Sequence, residues 1–166
     1  SRKEVDLSRT YKFRNSNQTW SGIPIMAANM DGVGTFKMAD SLASHAIFTC
    51  ITKQHTKKDW KDHVDDIWKD MTAISVGTSL KSWQESKDII AKHNLGWVCI
   101  DIANGYSEHF AEFVKMVRTE FPNINIIAGN VVTADMTQEL ILAGADVVKV
   151  GIGPGSVCTT RIQTGV

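Results

Sequence analysis

One thiol in this chain stands in a loop suited to activate it. The run Val150-Gly151-Ile152-Gly153-Pro154-Gly155-Ser156-Val157-Cys158-Thr159-Thr160-Arg161 follows an apolar, strand-like segment. Its three glycines and its proline fix a tight backbone path and turn peptide N–H groups inward, a geometry that suits an anion. Amide dipoles and a nearby cation favour the thiolate, so Cys158 is a candidate nucleophile. A lone cysteine is more often a small buried hydrophobe. Here the glycines, hydroxyls and guanidinium around it favour chemistry instead.

Other polar residues with chemical potential sit just after apolar runs: Asn29 and Asp31, Lys53, Asp101 and Asn104, and Asn130. The elements that must position them alternate. Strands are predicted at Ile23–Ala28, Ile47–Ile51, Ala73–Val76, Trp97–Ile102, Ile124–Ala128 and Val147–Val150, each short and apolar, as in parallel sheets buried on both faces. Helices are predicted at Thr35–Ser44, Lys57–Lys69, Ser82–Lys92, Ser107–Glu120 and Ala134–Ala143. Phe110, Phe113, Val114 and Val117 form one helical stripe, with Ser107 and Thr133 as helix caps. Strand–helix alternation implies a parallel α/β fold with right-handed crossovers. A doubly wound sheet would carry a G-x-G-x-x-G turn after its first strand, and none is present. Polar residues at the ends of successive strands point instead to a TIM (β/α)8 barrel.

Lys+Arg and Asp+Glu are equal at 18 each, which argues against a nucleic-acid partner. No apolar run reaches transmembrane length, so no membrane role is expected. Cys50, Cys99 and Cys158 are too widely spaced for a disulfide framework or a paired metal motif, which suggests a reducing, cytoplasmic setting. About six strand–helix units are visible, whereas a full barrel takes roughly 250 residues. The expectation is therefore a single, incomplete barrel domain over residues 1–166, ending just after the cysteine loop.

The cysteine loop resembles the active-site loop of the IMP dehydrogenase and GMP reductase family. Three further runs carry the resemblance across nearly the whole chain: Ile23-Pro24-Ile25-Met26-Ala27-Ala28-Asn29-Met30-Asp31, Trp97 to Phe110, and Ile126-Ile127-Ala128-Gly129-Asn130-Val131-Val132-Thr133. The stretch Asp101-Ile102-Ala103-Asn104-Gly105-Tyr106-Ser107-Glu108 is similar to the reductase branch. The dehydrogenases usually read Asp-Ser-Ser-Gln-Gly there. They also usually carry a regulatory insertion where Lys53 here passes almost directly to Lys57. Gly32 departs from the family's usual Thr, and Thr52 and Gln54 from the reductases' usual His.

The resemblance implies NADPH-dependent conversion of GMP to IMP and ammonia through a Cys158 thioimidate. It implies Thr160 as a proton relay and Lys53 as an aid to the departing amine. Asp101, Ile102, Ala103, Ile152 and Gly153 match cofactor-contacting positions, and Ser156, Asn29 and Asp31 match the nucleotide pocket. Backbone carbonyls of Gly153, Gly155 and Cys158 match a potassium site, with Arg161 beside it. The resemblance also implies a homotetramer. It further implies that Val5–Trp20 forms an N-terminal hairpin at the barrel floor, and that the last strands and a partner glutamate lie beyond Val166. The rival readings are an IMP dehydrogenase, a flavin-dependent barrel oxidoreductase, and a catalytically silent assembly subunit.

Overall fold

The computed structural model describes residues 4–66 and 68–166. Its strands are β1 (Arg9–Lys12), β2 (Thr19–Ala27), β3 (Ile47–Ile51), β4 (Thr72–Val76), β5 (Trp97–Asp101), β6 (Asn125–Val131) and β7 (Val147–Val150). They lie in one sheet in chain order. β1 and β2 pair antiparallel, Arg9 opposite Gly22 and Lys12 opposite Thr19, which is the predicted hairpin. Every pairing from β2 to β7 is parallel. This is a partial TIM barrel, as the sequence implies. β2 is longer than predicted because it serves two partners. Thr19–Gly22 face β1, and the rest of the strand meets β3 across a register shift between Ile23 and Met26.

The helices are α1 (Phe36–Ala43), α2 (Lys57–His63), α3 (Leu80–His93), α4 (Glu108–Glu120), α5 (Ala134–Ala143) and α6 (Thr160–Thr164). Their starts are set by capping hydroxyls. Thr35, Ser107 and Thr133 each accept a hydrogen bond from the backbone N–H three residues on. Thr56 and Asp59 form a reciprocal capping box. α2 ends well short of the predicted Lys69. Asp62 and Asp65 stand on its C-terminal side, where the helix dipole disfavours negative charge. The predicted continuation also crosses residue 67, which lies outside the described residues. Replacing Ser107 by Ala should cost about 1 kcal/mol, read from urea unfolding, because the Phe110 N–H loses the capping hydroxyl and keeps only the Ser107 carbonyl. Among the described residues, no helix is long and apolar enough to cross a membrane.

Strand alternation divides the core into two layers. Ile51, Ile74, Val76, Val98, Ile100, Ile126 and Ala128 face the helices and pack on Trp60, Trp83, Phe110, Phe113 and Leu140. Phe48, Cys50, Ala73, Trp97, Cys99 and Ile127 face the concave side with Trp20, and Phe13 packs against them from the hairpin. The hairpin turn is tied to the bottom of the last strands. Asn15 Nδ2 donates to Ala145 O at 2.8 Å, and Ser16 Oγ donates to Asn125 Oδ1 at 2.7 Å. Beside them, Arg118 of α4 pairs with Asp146 at 2.6 Å, and the Asp146 side chain is 0% exposed.

Candidate active site

The loop after β7 is held at both ends. At its base, Asn130 Nδ2 donates to Gly151 O at 2.9 Å, and the Ile152 side chain is buried. At its far end, Asn104 Nδ2 donates to Thr164 O at 3.3 Å, joining the segment after β5 to α6. Between these anchors Gly153 takes φ +51, a conformation that side chains rarely adopt. A Cβ there would lie 3.2 Å from Cys158 Sγ and 3.4 Å from Thr160 Cβ, so the glycine lets the loop close on its own thiol. The Cys158 N–H donates to Gly155 O at 3.0 Å.

Cys158 is exposed, whereas Cys50 and Cys99 are buried on the concave face. Its Sγ lies 3.3 Å from Thr160 Oγ1. The side-chain hydroxyl of Thr160, and then its backbone N–H, hold the Cys158 thiol below the ordinary cysteine range. The sequence suggests a nearby cation as part of the cause. In the structure the lowering comes from the Thr160 hydroxyl and backbone N–H. Since the lowered group is the thiolate-forming one, reactivity appears at lower pH than for a free cysteine. Replacing Thr160 by Val should move the pH profile of Cys158 alkylation by iodoacetamide upward. The rate at neutral pH should fall roughly severalfold.

A second cluster lies on the concave side near the strand ends. Lys149 of β7 forms an ion pair with Asp101 at the end of β5. The same ammonium donates to Asn29 Oδ1 at 3.0 Å in the segment after β2. Burial pulls the Lys149 pKa down, but the Cys99 sulfur and the Asp101 carboxylate outweigh it and leave the pKa raised. The structure thus joins two predicted site residues, Asn29 and Asp101, through a lysine that the sequence reading did not single out. The signal was one charge inside the apolar run Val147–Val150.

The remaining predicted residues fall around these two clusters. Ile102 is half-buried and exchanges backbone hydrogen bonds with β6, with Gly129 O accepting from Ile102 N and Ile102 O accepting from Asn130 N. Ala103 is exposed beside it, and Ser156, Gly155 and Arg161 are exposed on the cysteine loop. Asp31 and Lys53 are exposed in the turns after β2 and β3. Among the described residues, no hydrogen bond ties either of them to the Cys158 loop. Ile152 is buried as a whole residue.

A half-barrel that presents an exposed thiol in the loop after β7, and a polar cluster at the strand ends, has the form of a barrel enzyme site. Comparison with known proteins gives the family. The model of the IMP dehydrogenase / GMP reductase domain matches residues 3–166, and the chain belongs to that family. It is 55% identical to a GMP reductase of Vibrio parahaemolyticus and 56% identical to one of Photobacterium profundum. It is 53% identical to GMP reductase 1 of Rattus norvegicus. Each match covers 100% of this chain and 49% of the relative, so the chain spans about half the length of these proteins. The crystal structure of an inosine 5′-monophosphate dehydrogenase from Legionella pneumophila superposes with a TM-score of 0.83 at 27% identity, over 98% of this chain and 50% of that one.

Proposed function

We propose that the protein bearing this chain is an oxidoreductase that converts GMP to IMP and ammonia at the expense of NADPH. The observation that carries this reading is Cys158, exposed on a loop folded back on itself, with Thr160 Oγ1 3.3 Å from its sulfur. The 53–56% identity to proteins named GMP reductase favours the reductase branch over the dehydrogenase branch.

In this mechanism the Cys158 thiolate attacks carbon 2 of GMP. The bond from carbon 2 to the amine breaks, and Thr160 passes a proton to the departing nitrogen as ammonia forms. A thioimidate joins Cys158 to the purine, and one difficult substitution becomes two easier steps. When bound, NADPH supplies the hydride that reduces carbon 2. The carbon–sulfur bond then breaks, IMP leaves, and the thiol is restored.

The residues fit the cofactor in kind. Asp101 keeps one carboxylate oxygen beyond the one that meets Lys149, and Ala103 is exposed next to it. Asn29, Asp31 and Ser156 would line the nucleotide pocket, and Lys53 would meet the leaving amine. The carbonyls of Gly153, Gly155 and Cys158 are hard oxygen donors of the kind a potassium ion takes. Gly155 O already accepts the Cys158 N–H, leaving one lone pair for an ion. A cytoplasmic homotetramer belongs to the same proposal.

The test is NADPH oxidation by the natural protein at its full length, in potassium buffer. GMP-dependent oxidation supports the reading. NAD reduction with IMP, and none with GMP, would move the assignment to a dehydrogenase.

A further inference from the structure

Lys149 is the charged residue of a strand otherwise made of valine. It faces the concave side, while its neighbour Val148 packs against the helix-side core. Neither partner is on a strand adjacent to β7: Asp101 ends β5, with β6 between, and Asn29 follows β2, which is farther still. To reach them, the side chain must lean across β6. The residue of β6 directly opposite Lys149 is Gly129. A Cβ at Gly129 would lie 2.5 Å from Lys149 Cβ and 2.6 Å from Lys149 O, so glycine is what lets β7 come this close to β6 at the lysine.

The chemistry of the contacts fixes more than position. An ammonium has three donors and no acceptor. It therefore turns the Asn29 carboxamide so that Oδ1 faces inward and the NH2 group faces away from the lysine. It also takes one oxygen of Asp101 and leaves the other. One cation thus fixes which end of the Asn29 carboxamide and which oxygen of Asp101 are left over. The Lys149 and Asp101 side chains are 24% and 23% exposed, so the pair is largely withdrawn from water. Such pairs are weak contributors to net stability and are better explained by the geometry they impose.

We infer that Lys149 is a positioning residue that locks Asn29 and Asp101 into one arrangement at the strand ends, with Gly129 allowing the close approach of β7 to β6 beside it. Its link to catalysis rests on the reductase reading above. Its link to Asn29 and Asp101 does not.

The experiment uses the natural full-length protein and the variants Lys149→Met, Lys149→Arg, Asp101→Asn and the Lys149→Met/Asp101→Asn double variant. The first readout is thermal unfolding. If the cation and carboxylate are locked together, the double variant loses no more melting temperature than Lys149→Met alone, because no unpaired carboxylate remains. Losses that simply add would overturn the inference, whatever the enzyme does. The second readout is steady-state kinetics. With GMP-dependent NADPH oxidation present, Lys149→Met should lower kcat/KM at least tenfold, with KM for NADPH or GMP affected more than kcat, and Lys149→Arg should recover most of it. Non-additive melting with kinetics unchanged within twofold would make the lysine purely structural and would also overturn the inference. If the wild type shows no GMP-dependent oxidation, the reductase reading falls, and the melting comparison alone decides whether Lys149 holds the arrangement.

Discussion

Under the proposed reductase reading, Cys158→Ala should leave the protein folded and lower GMP-dependent NADPH oxidation by about a thousandfold or more, the scale on which loss of an essential nucleophile acts. The fold is spared because the residue is exposed and, among the described residues, its thiol is held by Thr160 alone. Neither of the other thiols can substitute, since Cys50 and Cys99 are buried on the concave face. The measurement is the rate of absorbance loss from NADPH with saturating GMP, beside a circular-dichroism melt of the same sample. A variant that retains more than a few per cent of the rate would remove Cys158 from its role.

Arg118→Met should be strongly destabilising, costing about 3–5 kcal/mol, because it strands a buried carboxylate. The Asp146 side chain is fully buried and accepts from the Ser16 and Ile126 amides at 3.0 and 2.9 Å as well as from Arg118. Arg118 also donates to the carbonyls of Gly144, Pro122 and Ile124. One guanidinium therefore satisfies the end of α4, the turn into β6 and the start of β7 together. Urea unfolding of Arg118→Met, and of the Arg118→Met/Asp146→Asn pair, checks the cause. If the charge left behind is what hurts, the second change recovers part of the loss. If it recovers none, the lost carbonyl contacts dominate.

Much of the fold is legible in the sequence because parallel strands covered on both faces must be apolar throughout. Ile47–Ile51 and Val147–Val150 read as strands with the correct ends. The arm Thr19–Gly22 was harder to place, because its alternating exposure belongs to a hairpin rather than to the barrel. α6 has five residues and no buried side chain, so it leaves no periodic trace. At the site, Cys158 was legible because glycine, proline and hydroxyls surround it in the chain itself. Lys149 was not, for a specific reason. A single charge among valines usually marks the wet face of a strand. Here the charge points into the barrel, and its reason for doing so, Asn29 and Asp101, lies 120 and 48 residues away. Asp31 and Lys53 are legible as loop residues, but their relation to the thiol depends on distances no linear pattern encodes.

The strand order equals the chain order, so each new strand finds its partner already made. Such a sheet can grow by accretion during synthesis, one neighbour at a time, with short loops to close at every step. The exception is the turn at Asn15 and Ser16, whose partners stand 109 to 130 residues later. That turn works as a clasp fastened late. It stays open while β3, β4 and β5 assemble, and it shuts only when β6 and the start of β7 arrive to receive it.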